Sequence, residues 1–330
     1  MPTSSPERRR QGLTPRRALI ASFVVACGLL ASGAVRAADT PVKAVRVAED
    51  VWVVQGESAQ GSAANRNFIS NAGFVVTSDG VVVIDALGSP TLAEEMIAEI
   101  RRVTWQPIRH VIVTHYHADH FYGLQAFKAV GASVVAHRAA GEYLNSETAQ
   151  LRLKASREEL FPWIDESTRL VAPDRWLDQP DTVLRVGAHE VRIRHVGPAH
   201  TPEDVVVYVP RRGVLFAGDL VFRGRVPFVG QSDSRQWIES LSRLIDFKPK
   251  IVVPGHGAVS TDPATDLELT RDYLAYLRKA MGEAARELEP FDEAYAKADW
   301  SRFERLPLFR AVNRINAYNT YLLMEQQGGR

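Results

Sequence analysis

Cysteine is nearly absent from this chain: Cys27 stands alone among 330 residues. That excludes an internal disulfide framework and any Cys-rich metal site. An excess of charge is missing too, since the formal net charge is only +1. The balance is uneven, however. Arg8, Arg9, Arg10, Arg16, Arg17 and Arg36 face a single acid, Glu7, so residues 1–37 carry +5 and the remainder −4. A mildly acidic body lacks the basic footprint that a nucleic-acid binder needs. Glycine (22) and proline (18) are too few for a collagen-like or disordered chain. What is present, 45% hydrophobic and 24% charged residues, is the composition of a globular protein with ample chain for a core, as one large domain or two unequal ones.

The N-terminus reads as an address. An Arg-rich stretch ends at Arg17, Ala18–Val35 is uncharged and mostly apolar, and Val35-Arg36-Ala37 places small residues around a cut site. Basic, apolar and small in that order predict a secretory signal peptide cleaved after Ala37. Thr14-Pro15-Arg16-Arg17 resembles a twin-arginine export signal, with the general secretory route as the alternative. Two other readings compete. The apolar run is just long enough for an uncleaved anchor, and Val24-Val25-Ala26-Cys27 resembles a lipoprotein box, although Gly28–Val35 stays apolar where such a box turns polar. The expectation is a periplasmic mature protein without cysteine and without stable membrane insertion.

From Val42 to about Val253, strand-like and helix-like segments alternate. Val45–Val54, Gly73–Val76 and Val81–Asp85 read as strands, with Ser78-Asp79-Gly80 as a turn. Thr91-Leu92-Ala93-Glu94 has the form of a capping box ahead of the apolar face Leu92, Met96, Ile97, Ile100. His110–Val113 reads as a strand, Phe121–Val130 as a helix, Ser133–Ala136 as a strand and Glu147–Leu160 as an exposed helix. Strands follow at Thr182–Val186, Glu190–Arg194, Val205–Val209 and Val214–Phe216, then a helix behind Asp233-Ser234 and a short strand at Ile251–Val253. Beyond that, Leu269, Tyr273, Leu277, Met281 and later Val312, Ile315, Leu322 mark helices. The pattern predicts an α/β body over 38–262 with a C-terminal helical extension over 263–330.

The chemistry concentrates in His115-Tyr116-His117-Ala118-Asp119-His120, directly after an apolar strand. Three of the nine histidines fall in these six residues, and four metal-ligating side chains so close together can converge only from a loop. Imidazole and carboxylate donors suit divalent zinc. His200, Asp219 and His256 stand at three further strand ends, flanked by Gly and Pro that permit sharp turns. His110, His137, His189 and His195 have no partner at ligand spacing and read as surface or satisfied core residues.

H-x-H-x-D-H, then Gly197-Pro198-Ala199-His200, Ala217-Gly218-Asp219 and Pro254-Gly255-His256, resembles the ordered signature of the metallo-β-lactamase superfamily over roughly Val45–His256. The resemblance implies a four-layer αββα sandwich with a metal pair at one edge. It implies His115, His117 and His200 on a first zinc, Asp119, His120 and His256 on a second, Asp219 bridging, and Asp85 supporting from behind. The implied activity is a binuclear zinc hydrolase that attacks an ester, thioester or lactone with a metal-bridging hydroxide oriented by Asp119. A carboxylate at the bridging position disfavours β-lactamase activity, which stays a lesser alternative. Asp219 is shared with glyoxalase II, but no glutathione-binding basic residues are identifiable. The export signal and the loop after Asp219 look more like periplasmic hydrolases associated with sulfur oxidation and quinoprotein dehydrogenases. The alternative is a persulfide dioxygenase-like oxidoreductase with one iron on His115, His200 and Asp219. Partners are confined to a small-molecule substrate, and the oligomeric state is not legible. Tyr116, Phe222, Arg223 and Phe228 are the candidate substrate walls, and the small-residue loop Ser58–Arg66 the candidate flap.

Overall fold

The computed structural model describes residues 40–230 and 232–328. The expected leader over 1–37, with Cys27 and the cut after Ala37, lies outside them. Seven strands form the first sheet in chain order: β1 (Ala44–Ala48), β2 (Val51–Val54), β3 (Ala72–Thr77), β4 (Gly80–Ile84), β5 (Ile108–Ile112), β6 (Ser133–His137) and β7 (Arg175–Leu177). β1 to β4 meander antiparallel, and β4 to β7 run parallel. The second sheet holds β8 (Asp181–Val186), β9 (His189–His195), β10 (Val205–Val209), β11 (Val214–Phe222) and β12 (Ile251–His256), antiparallel until the parallel pair β11–β12.

Parallel neighbours need crossovers, and these carry the helices. α1 (Pro90–Val103) links β4 to β5, α2 (Ala118–Phe121) and α3 (Leu124–Ala129) link β5 to β6, and α4 (Ala140–Leu144) and α5 (Glu147–Glu159) link β6 to β7. α6 (Ser234–Leu244) links β11 to β12, and α7 (Pro263–Arg286), α8 (Phe291–Lys297) and α9 (Phe309–Gly328) complete the chain.

The central strands β3, β4, β10, β11 and β12 read as near-continuous apolar runs because both faces are buried. In β4, Val82 and Ile84 face the second sheet, where they share a core with Val191, Ile193, Val207 and Phe216. Val81 and Val83 face the other way, onto Leu92, Met96, Ile100 and Phe127 of α1 and α3. On the second sheet, Val206, Leu215, Ala217 and Val252 pack outward onto Trp237, Leu241, Leu274, Leu277 and Met281 of α6 and α7. Helix, sheet, sheet, helix is the expected four-layer sandwich, and the helical C-terminus is present.

Several local expectations are corrected. Val45–Val54 is a hairpin rather than one strand, because Asp50 turns the chain at φ 65°. α1 is capped by Ser89, whose Oγ accepts from the Leu92 N–H at 3.3 Å, and Thr91 lies inside the helix. Pro90 explains this, since a proline fits the first helical position. The helix expected over Phe121–Val130 is two short ones broken at Tyr122-Gly123, where Gly123 packs so tightly on Ala86 that a Cβ would lie 2.0 Å from its carbonyl oxygen. β11 does not stop at Phe216 but continues to Phe222, with its register broken at Gly218. The short elements β7, α4 and α8 carry no clear period and were not expected.

Candidate metal centre

The parallel strands β4, β5 and β12 all end at one edge, where loops are free to present polar groups. Asp85 follows β4, the His115–His120 run follows β5, and His256 closes β12. β9 leads into the turn that carries His200, and the register break in β11 turns Asp219 to the same edge. All seven donors expected from the sequence converge. His115, His117, His200 and Asp219 form one group, and Asp119, His120 and His256 a second, each with donor atoms within 4.8 Å of one another. Asp219 reaches both groups. Its Oδ2 lies 3.8 Å from His115 Nε2, 3.4 Å from His200 Nε2 and 3.3 Å from His256 Nε2, and its Oδ1 lies 3.1 Å from His120 Nε2. Asp119 Oδ2 lies 3.4 Å from His256 Nε2 and 3.6 Å from His120 Nε2.

The donor set fits divalent cations. Nε2 of His115, Nε2 of His120 and Oδ1 of Asp219 are buried with no hydrogen-bond partner, an arrangement that is costly unless something else satisfies them. The charge states of His115 and His200 agree. Burial, reinforced by His120, holds the His115 imidazole well below its ordinary pKa, and burial beside His117 brings His200 down to about 3. Both are therefore neutral at pH 7, as ligands must be. Burial also opposes charge on His120 and Asp219, but it is outweighed. Asp219, Asp119 and Asp85 raise His120, and His256 and His120 hold Asp219 low.

A buried shell fixes these side chains. Asp85 sits at φ 61°, a conformation that Asp tolerates better than most residues. Its Oδ1 accepts from the Thr114 N–H at 2.7 Å, and its Oδ2 from Thr114 Oγ1 and His120 Nδ1, both at 2.8 Å. Asp204 accepts from the N–H and hydroxyl of Thr201 at 2.7 and 2.8 Å, which locks the His200 turn. Glu203 accepts the Tyr116 N–H at 3.1 Å. The Asn71 amide donates to the carbonyls of Pro254 and Gly257, both at 2.8 Å, and so ties β3 to the His256 loop. Gly255 must be glycine, because a Cβ there would stand 2.0 Å from Asp219 Oδ1. Glu203, Asp204 and Asn71 were not expected, although an acid pair just after His200 was a visible signal for a turn cap.

The centre opens into a cavity of about 470 Å³ lined by His117, Asp119, Asp219, Phe222, Arg225, Phe228 and His256. A second cavity of about 560 Å³, with Tyr116, Pro198, His200, Glu203 and Phe228 in its wall, adjoins it across His117 and Phe228. Of the expected substrate residues, Phe228 is 41% exposed and borders both. Phe222 is buried and stacks on the His256 ring with centroids 5.0 Å apart, so it braces a ligand as well as lining the cleft. Tyr116 is buried with only a wall contact. Arg223 is a correction: its Nε pairs with Asp266 Oδ2 at 2.7 Å and its Nη1 donates to the Val259 carbonyl, so it lines neither cavity. Arg225 takes that place, and burial lowers its pKa from the ordinary value. The Ser58–Arg66 segment does border the cleft, through Ala59, Gln60 and Gly61. It is also fastened, by the Trp163 indole N–H to the Ala63 carbonyl at 2.7 Å and by Arg66 to Glu95 at 2.5 Å.

The C-terminal extension holds the opposite wall. Val312 of α9 lines the cavity of about 470 Å³ that opens from the donors. Asn316 accepts from the Val229 N–H at 3.0 Å and donates to the Pro227 carbonyl at 2.7 Å and to the Tyr273 hydroxyl at 2.9 Å. Asn319 donates to the Gly230 carbonyl at 2.7 Å, and the Val226 N–H to the Pro307 carbonyl at 3.1 Å. No sequence pattern marked these amides. The remaining histidines lie away from the donors: His189 lies 3.4 Å from Asp50, His195 contacts the Pro202 carbonyl at 2.9 Å and stacks on His137 at 3.6 Å, and Nδ1 of His110 and of His189 is buried without a hydrogen-bond partner.

Comparison with known proteins agrees with this geometry. A linear primary-alkylsulfatase from Pseudomonas sp. (strain ATCC 19151) is 26% identical over 235 residues, covering 60% of this chain and 44% of that one. A metallo-beta-lactamase type 2 from Bacillus sp. (strain 170) is 30% identical over 195 residues, 58% of this chain and 67% of that one. The chain thus spans less than half the length of the alkylsulfatase. Among solved structures, the sec-alkylsulfatase Pisa1 from Pseudomonas sp. shares the fold with TM-score 0.68 at 18% identity, over 86% of this chain and half of that one. A metallo-beta-lactamase from Pontibacter korlensis does so with TM-score 0.55 at 24% identity, over 71% and 98%. The family description of the metallo-beta-lactamase superfamily matches residues 65–256, the stretch that carries all seven donors, and with that fold and that His/Asp cluster the chain belongs to this superfamily.

Proposed function

We propose that this chain is a hydrolase that binds two divalent ions, zinc in the first instance, and cleaves an ester-type bond. The observation that carries the proposal is the pair of complete donor groups that share Asp219 at the floor of an open cleft. Named relatives that act on sulfate esters and on β-lactams support hydrolysis in general, and an ester, thioester or lactone is the class we put first.

His115, His117 and His200 would hold one ion, Asp119, His120 and His256 the other, with Asp219 between them. Bound ions supply Lewis-acid polarisation of the scissile group and a nucleophilic water at neutral pH. The chain contributes positioning. Asp119 is the donor carboxylate with the greater exposure, 14% of its side chain against 4% for Asp219, and it borders the cavity. It is therefore the carboxylate able to orient a water against the substrate and to carry its proton. Ser70 Oγ donates to the Asp119 backbone carbonyl at 2.5 Å and so anchors that residue. Phe222, Phe228 and Val312 keep the walls apolar, which concentrates the electrostatics of the floor.

The test is metal content of the purified protein together with turnover on esters, thioesters, lactones, alkyl sulfates and β-lactams. About two zinc per chain and cleavage within the ester group are expected. One iron per chain with oxygen uptake on persulfides would replace this reading with the dioxygenase one.

A further inference from the structure

The end of the sandwich opposite the donors concentrates positive charge. Strands β4 and β5 begin there and the β8–β9 hairpin turns there, around a cavity of about 440 Å³ whose wall includes Asp79, Arg109, His110 and Arg185. Arg109 gives its Nε to the Asp79 carbonyl at 3.0 Å and has no ion pair among the described residues. Arg185 reaches Glu190 only at 3.5 Å, and Glu190 is already taken by Arg192 at 2.6 Å. Arg175, which opens β7, also has no ion pair among the described residues. Its neighbour Asp174 is occupied by Lys128 and by the Val134 N–H at 2.8 Å. The fields of Arg175 and Arg109 converge on His110, which burial first and these cations next hold below its ordinary pKa, so it is neutral at pH 7. Three guanidinium groups thus stand against one carboxylate, Asp79, a local excess of +2.

Beside this recess stands Trp105, at 88% exposure the most exposed large apolar side chain among the described residues, with Val103 also exposed. Its loop is not slack. Gln106, next in the chain and part of the cavity wall, donates through Nε2 to the Ser78 carbonyl at 2.9 Å. Arg101 donates to the Gln106 carbonyl at 2.9 Å, and the Pro107 carbonyl accepts the Val81 N–H at 2.8 Å. A fixed backbone therefore holds an indole out in water, where its apolar area is a cost until something covers it. A protein partner would call for a broad apolar centre inside a polar rim. Here the apolar part is one projecting ring with cations along one side, a shape that inserts rather than packs. An anionic bilayer supplies both complements. Indole settles at the level of the headgroups, adjacent cations gain from the negative surface potential, and the planar guanidinium fork matches phosphate oxygens.

We propose that this end of the sandwich docks on an anionic lipid surface, with Trp105 at headgroup level and Arg109 and Arg185 on lipid phosphates. The donors, at the opposite strand ends, then face water, so docking governs where the protein works and not what it cleaves. The test takes protein from the soluble fraction of the cells that make it and sediments it with vesicles. One set is phosphatidylcholine alone, the other an equal mixture with phosphatidylglycerol. The mixed vesicles should bind more tightly, and each arginine should be worth about 5-fold in partition. Arg109→Gln with Arg185→Gln should therefore lose about 25-fold. Mixed vesicles with brominated acyl chains should quench the fluorescence of wild type, and Trp105→Ser should lose that quenching although the other five of the six tryptophans remain. The three side chains are exposed, so thermal unfolding of the variants should match wild type. Equal sedimentation with both vesicle types overturns the proposal, and so does anionic binding or quenching that the variants leave unchanged. Inorganic phosphate is the remaining arm. Calorimetric binding of phosphate that depends on Arg109 and Arg185, without sedimentation on mixed vesicles, would assign the recess to a free anion and overturn the lipid surface.

Discussion

Asp85→Asn isolates how a buried carboxylate that touches no ion can set metal affinity. Asp85 is 3% exposed and accepts three hydrogen bonds, from Thr114 N at 2.7 Å and from Thr114 Oγ1 and His120 Nδ1 at 2.8 Å each. In the metal-loaded protein, where Nε2 must be unprotonated, the bond from Nδ1 keeps the proton on that nitrogen and leaves the lone pair of Nε2 for the ion; Nε2 lies 3.1 Å from Asp219 Oδ1 in the donor cluster. Asparagine keeps the volume and can still accept from the Thr114 N–H. Its NH2 then replaces Oδ2. The Thr114 hydroxyl can rotate and accept from it, but His120 Nδ1–H would meet N–H. The imidazole escapes by moving its proton to Nε2, the atom the metal needs. Metal affinity at the Asp119, His120, His256 group should therefore fall about 10- to 100-fold, or about 1.4–2.8 kcal/mol. Competition for zinc against a chromophoric chelator measures it, with thermal unfolding of the metal-free protein as the control for folding. Zinc affinity equal to wild type, in a variant that folds, would refute the tautomer argument.

Three further outcomes follow from particular residues. Asn316→Ala removes a fully buried amide with three partners, so stability should drop by about 2–4 kcal/mol in urea unfolding. KM for any turned-over ester should rise more than kcat falls, and equal losses in both would count against a wall-positioning role. Burial and the stacked His195 ring bring His137 down to about 4, from 6.5 in the unfolded chain. A depressed histidine adds stability above pH 6.5 that is lost as pH falls from 6.5 through 4. His137→Phe should flatten that part of the stability curve, and an unchanged slope would show that other groups set it. Finally, N-terminal sequencing of exported protein should begin at Ala38; a start at Cys27 would favour lipid attachment, and an intact start the anchor.

The metal donors were legible because an ion imposes a local grammar: the right side chains, in tight turns, directly after apolar strands. His115 through His120 satisfy it in the turn after β5 and the short helix α2, which carries Asp119 and His120 where the sequence predicts only a loop, and His200, Asp219 and His256 repeat it. Layering was legible for a similar reason, since strands buried on both faces cannot hide their composition. Legibility failed where one backbone torsion redirects the chain. Arg223 and Arg225 are two residues apart, and in an extended segment both would point the same way. Gly224 at φ 69° lies between them, so Arg223 runs to Asp266 on α7 while Arg225 enters the cleft. Asp50 at φ 65° folds one expected strand into a hairpin by the same means. The capping box failed more instructively, because Pro90 already marked the first helical position and hence Ser89 as the cap.

Residues that act through long-range hydrogen bonds carry no local mark at all. Asn71 reaches Pro254 and Gly257, 183 and 186 residues away, and Asn316 reaches Pro227 and Val229, 89 and 87 residues away. Their placement also divides the labour of the site. The seven donors and the Asp85 brace lie inside residues 65–256, the part that matches the superfamily description. Val312, Pro307, Asn316 and Asn319, which line or fix the wall bearing Arg225 and Phe228, lie outside it. A cage for cations tolerates little variation, because donor type and spacing are dictated by the ion. A wall for a substrate is free to vary, provided something rigid stands behind it. Here that support is α9, clamped to α7 through Tyr273 and Asn313 at 2.8 Å. In this chain the wall beside the donors is thus built by α9 through residues 225–230, outside the stretch that carries the cage.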